Sequence, residues 1–145
     1  MRITSLLHWL LVTMIAGMAL TACQEEEPTP IVPEGDPVEA AREFVEAFYE
    51  GDVETCRELT VNDQRAQVEE LCQRNATALA SIDLSEAEFG LYSQVATLVV
   101  VVEMSGRWTI AALGQDGTMV EETRDEPVYI TMVYEDGAWR FENFD

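Results

Sequence analysis

The chain contains no lysine and a single histidine, and its eight basic residues face 28 acidic ones, for a formal charge of −20 over 145 residues. The histidine, His8, and one arginine, Arg2, both fall within the first 22 residues. Beyond them stand seven arginines and 28 acids, a formal charge of −21. These absences exclude chemistry. Without histidine there is no Ser-His-Asp or Cys-His nucleophile system. Without lysine there is no Schiff-base catalysis. With no histidine and few thiols, a conventional zinc site has no ligand set, and no cofactor is expected. The scarcity of positive charge also excludes a basic patch for nucleic acid. Protein charge would not hold such a chain flat on anionic lipid either. Any catalysis would fall to carboxylates, tyrosine, arginine or backbone groups.

Long apolar runs are also missing. The longest, Leu6 to Leu20, has about 15 residues, short of the roughly 20 that cross a bilayer as a helix. It follows Arg2 and ends in Leu20-Thr21-Ala22-Cys23. A positive start, an apolar stretch and small residues before a cleavage point make a secretory signal. The final four residues resemble the lipobox of bacterial lipoproteins. That resemblance implies removal of residues 1–22, diacylation of Cys23 by fatty acyl groups such as palmitate, and a domain held outside the cytoplasm at the bacterial cell envelope. Several acyl chains make a stable anchor where one does not.

Residues 23–36 read as a tether. Glu25, Glu26 and Glu27 are followed by Pro28, Pro30 and Pro33. Proline-rich sequence favours extended geometry of about 3.1 Å per residue.

Residues 37–145 read as one domain. Asp36-Pro37-Val38-Glu39 is a helix start with a cap, a first-turn proline and a capping-box acid. Ala41, Phe44, Val45, Phe48 and Tyr49 then keep helical spacing, and Gly51 stops the helix. Asp52 opens a short second helix through about Leu59. Asn62 or Asp63 opens a third, with Val68, Leu71, Cys72, Asn75 and Leu79 on one stripe. After Ser81 the pattern turns to strands: an edge strand near Ile82–Leu91, Val95–Met104, Arg107–Leu113 beyond an irregularity at Ser105-Gly106, Pro127–Tyr134, and Ala138–Phe144. Asp116-Gly117 and Asp136-Gly137 are hairpin signals. Helices first and antiparallel strands after is an α+β layout.

This order, with helix Val38–Glu50 ending in Tyr49-Glu50-Gly51-Asp52 and the closing Val133-Tyr134-Glu135-Asp136-Gly137-Ala138-Trp139-Arg140-Phe141, resembles the nuclear transport factor 2-like superfamily. The resemblance implies a long helix in a strongly curved sheet, with a pocket at the open end of a cone. Relatives of that kind include ketosteroid isomerases, dehydratases and polyketide cyclases, beside many without known catalysis.

Phe48, Tyr49, Glu103, Trp108, Tyr129 and Trp139 are the candidates to line such a pocket, with Met132 beside them. In isomerase-like relatives a tyrosine and carboxylates act in the pocket, and here Tyr49 and Glu103 come nearest to that pattern. No matched acid–base pair is visible, so no catalytic residue is assigned. Cys56 and Cys72, on the second and third helices, are expected to form a disulfide in an oxidising compartment. The run Glu121–Glu126 reads as a solvated loop without calcium-loop spacing. Strands Val95–Val102 and Val128–Tyr134 are apolar on both faces, so one face needs a cover beyond the helix. A homodimer through the sheet is the expectation. The leading reading is a membrane-anchored, non-catalytic binding domain for a small apolar ligand or an envelope protein. The alternatives are an isomerase- or dehydratase-like enzyme and a structural docking lipoprotein.

Overall fold

The structure, a computed structural model, describes residues 31–145. The leader, Cys23 and most of the tether lie outside the described residues. Pro33–Asp145 forms one compact unit.

Helix α1 runs Pro37–Glu50, and the Asp36 carboxylate accepts the Val38 N–H at 2.8 Å. Its buried stripe is Ala41, Phe44, Val45 and Ala47. Gly51, at φ +74°, terminates it. Helix α2 runs Val53–Glu58 from an Asp52 cap whose carboxylate accepts from the Thr55 N–H and hydroxyl. A 3-10 turn at Asn62–Gln64 leads into α3, Arg65–Thr77. The expected stripe of this third helix included Leu79. Leu79 instead lies past the helix end at φ +48° and is two-thirds exposed.

Five strands follow: β1 Ser81–Ala96, β2 Val99–Leu113, β3 Met119–Arg124, β4 Val128–Glu135 and β5 Ala138–Phe144. All pair antiparallel in the order β1-β2-β4-β5. The long strand β2 serves two partners along one edge. Val99–Met104 pairs with β4, and Trp108–Leu113 pairs with β3. The bend falls between them, at Ser105-Gly106, where Gly106 has φ +85°. The domain is therefore α+β, with helices laid into a curved antiparallel sheet as in a cone.

Two strand expectations change and one stands. The edge strand is longer than Ile82–Leu91 and takes in Val95, because the turn to β2 falls at Thr97-Leu98. Glu121–Arg124, read as loop, is strand β3 because the bend frees the second half of β2 for a partner. The Asp136-Gly137 turn is as expected, with both residues at positive φ and Glu135 opposite Ala138.

Phe44 packs flat on Phe141, ring centroids 3.8 Å apart. Val45, Val102, Met104, Ile130 and Met132 close around them, all essentially without exposure. Each such side chain contributes about 1.5–3 kcal/mol of transfer free energy. The segment Leu59–Val61 lies along the β5 edge: the Phe141 N–H donates to the Leu59 carbonyl at 2.6 Å, and the Val61 N–H donates to the Phe141 carbonyl at 3.0 Å.

Candidate functional site

Alternation along β2 sorts the expected pocket residues onto two faces. Val100, Val102 and Met104 are buried against α1, which turns Val101 and Glu103 to the other face of the sheet. Gly90, Glu103 and Tyr129 lie opposite one another across β1, β2 and β4. Tyr92 joins them, its ring centroid 4.8 Å from that of Tyr129. Burial and the neighbouring Glu103 carboxylate push the Tyr129 hydroxyl pKa up. Glu103 and Tyr129 therefore belong to the outer face of the sheet and do not share a pocket with Tyr49. One residue of periodicity decides this, because a strand changes face at every step.

Phe48, Tyr49, Trp108 and Trp139 lie on the helix side. Tyr49 sits 6.1 Å from Trp108, measured between rings, and the Arg124 guanidinium lies 5.3 Å from the same indole. Burial raises the Tyr49 pKa, and Arg124 partly offsets it. Glu122 holds Arg124 at 2.8 Å. The carboxylate on this side is thus Glu122, already paired with arginine. Arg124 and Glu122 escaped the sequence reading because their run carried no periodicity that marked a strand. Trp139 is buried in an edge contact with Tyr134, ring centroids 5.4 Å apart. The indole N–H groups of Trp108 and Trp139 are buried without an acceptor among the described residues.

Phe44, Met104, Ile130 and Met132 fill the core between α1 and the sheet, and a hollow of about 430 Å³ lies beside it between α1 and β1, walled by Arg42, Glu46, Ile82 and Leu84. A smaller cavity of about 260 Å³ lies between α3 and the end of β5. Phe48, Val68, Leu71 and Phe144 wall it, and Gln64, Gln67 and Asn143 bring amides. Among the described residues no group of three or more histidines, cysteines or carboxylates could hold a metal ion. No helix among them is long and apolar enough to cross a membrane.

Cys56 and Cys72 are both buried and stand as thiols, not joined, in the α2–α3 contact. Cys72 lies 3.6 Å from the Ala47 carbonyl oxygen. Burial, and then the adjacent Cys72, pushes the Cys56 thiol pKa far up. A thiol so shielded makes a poor nucleophile.

No family model and no curated protein matches this chain. Solved structures do match in shape. The intermembrane space region of chloroplast protein ARC6 superposes with TM-score 0.55 at 9% identity, over 78% of this chain and 97% of its own. A putative calcium/calmodulin dependent protein kinase II association domain from Xanthomonas campestris gives 0.52 at 16% identity, over 79% of this chain and 89% of its own. A variant chain named for NTF2 reaches 0.41 at 15% identity, over 76% of this chain and 98% of its own, too loose a fit to argue from. At these identities the likeness is one of fold.

Proposed function

We propose that this chain is a lipid-anchored domain of the bacterial cell envelope that docks a protein through the outer face of its sheet and catalyses no reaction. The observation that carries this reading is the contrast between the two faces. The inner face is filled by core side chains, whereas the outer one carries Tyr92, which is exposed, and Val101, Tyr129 and Val133, which are half-buried. Tyr92 and Val95 sit at irregularities in the β1–β2 register and are 60% and 68% exposed. Large apolar side chains left exposed together on one strand suit an interaction site. A second copy of the chain is one occupant this face admits. The leader and its Leu-Thr-Ala-Cys ending support the anchor, and the proline-rich acidic tether supports a spacer between anchor and domain.

Two measurements test the reading. Wild type should fractionate with membranes and carry a mass increment at Cys23, while Cys23→Ser should stay unprocessed or become soluble. A soluble wild type removes the anchor from the proposal. A photo-crosslinker at Tyr92 should give a discrete adduct in intact cells, and one at Asp125 should not. Equal or absent adducts at both positions remove the docking face. A second reading, a small apolar ligand, rests on the 260 Å³ cavity beside Phe48 and Phe144. A retained small molecule in native mass spectra, lost in Phe144→Glu, would favour it.

A further inference from the structure

Seven arginines serve the whole described domain, and their placement is uneven. Arg57, Arg74, Arg107 and Arg124 each bridge to a glutamate. Arg42 lies over the Phe89 ring, 4.4 Å from its centroid. Arg65 and Arg140 make no carboxylate bridge among the described residues, despite the 28 acids in the chain. Both are held by backbone carbonyls instead. Arg65 Nε donates to Thr60 at 3.2 Å, and Arg140 donates through Nε to Glu135 at 3.2 Å and through Nη1 to Glu58. These two arginines, together with Arg57, line one hollow of about 490 Å³, whose other walls are Glu58, Leu59 and Ala138.

We infer that this hollow binds an oxyanion, a phosphate group in preference to a carboxylate. A guanidinium carries five N–H donors. Among the described residues both terminal nitrogens of Arg65, both of Arg57 and one of Arg140 stay free to donate. A single guanidinium fork satisfies a carboxylate, whereas three guanidiniums around one space suit the larger set of acceptors on a phosphate. The carbonyl contacts fix Arg65 and Arg140 before any ligand arrives, which lowers the ordering cost of binding. Glu58 is the opposing charge in the hollow, and Glu69 already neutralises part of Arg57. The repulsion from the remaining acids is screened over roughly 8 Å at physiological salt, so what decides is the first layer of contacts. The volume exceeds that of inorganic phosphate, and Leu59 and Ala138 offer apolar wall to an organic remainder. The ligand class is therefore a small phosphate monoester or a phospholipid headgroup, which share this chemistry. The inference does not depend on the docking face.

The test follows the Arg65 and Arg140 Nε–H resonances in the full ¹⁵N-labelled chain, held in a non-ionic maltoside micelle at constant ionic strength. Inorganic phosphate and glycerol phosphate should shift both resonances to saturation. Acetate should bind about tenfold more weakly, because one fork already satisfies it. Arg57→Gln, at an exposed position whose loss leaves the carbonyl clamps intact, should weaken phosphate by a similar factor. Arg65→Lys keeps the charge but loses the fork and should weaken it as well. A second arm places the chain in nanodiscs with or without phosphatidylglycerol. Saturation by free glycerol phosphate alone assigns a soluble ligand, and a shift only with phosphatidylglycerol assigns a headgroup. The inference is overturned if no phosphate species gives saturable shifts, if acetate matches phosphate, or if Arg57→Gln titrates like wild type.

Discussion

Tyr49 shows how one side chain can be legible in sequence and still be misassigned in company. Its helical spacing places it on the apolar face of α1, and the structure packs it against Trp108. Its carboxylate neighbour, however, is Glu122 and not Glu103. Burial raises the Tyr49 pKa above its ordinary value of 10. The folded state therefore favours the protonated phenol. The stability that this supplies is complete below about pH 10 and is lost as pH rises through the folded-state value. Urea midpoints of wild type should fall more steeply than those of Tyr49→Phe as pH rises above about 10. Parallel curves would show that Tyr49 is solvated.

Elements meet at places where backbone conformation and close approach coincide, and Gly51 is the sharpest of them. It ends α1 at φ +74°, and a Cβ there would lie 2.3 Å from the Ala76 backbone nitrogen of α3. The stop signal is local and was visible in the sequence. The contact with α3 is not local, and nothing in the spacing of residues 51 and 76 announces it. Gly117 provides the comparison: it has φ +80° with open space around its would-be Cβ. Gly117→Ala should cost about 1 kcal/mol for the left-handed backbone alone. Gly51→Ala should cost clearly more, because α1 and α3 must separate as well. Equal shifts in the unfolding midpoint would mean that the α1–α3 junction yields freely.

At the scale of the whole molecule the compartment sets the covalent state. Cys56 and Cys72 are adjacent buried thiols in the structure. In the oxidising space that the proposed anchor would place them in, they should join. Protein taken from that space and denatured without reductant should then show no thiol that alkylates, and two after reduction. By the chain-entropy argument, reduction should cost about 3 kcal/mol for a loop of this length. Two reactive thiols before reduction would refute the bridge and leave the pair as core residues. The helix pairing that brings the two cysteines together is itself the evidence for proximity, which their sequence separation alone does not supply.

What the amino-acid order determined by itself is local. The Asp36 and Asp52 caps, the Gly51 stop, the Asp136-Gly137 hairpin and the change from helical to strand periodicity after Ser81 each rest on a few neighbouring residues. Together they were enough for an α+β domain with its helices first. The tertiary structure decided everything that depends on which strand meets which. The bend at Gly106 gave β2 two partners and turned an acidic run into β3. Strict alternation put Glu103 and Tyr129 on the face away from Tyr49. The chain's return along the β5 edge brought Arg140 to the same hollow as Arg57 and Arg65. Periodicity is a property of adjacent residues, whereas a site is made by distant ones. Only the closing of the sheet over the helices supplies those contacts.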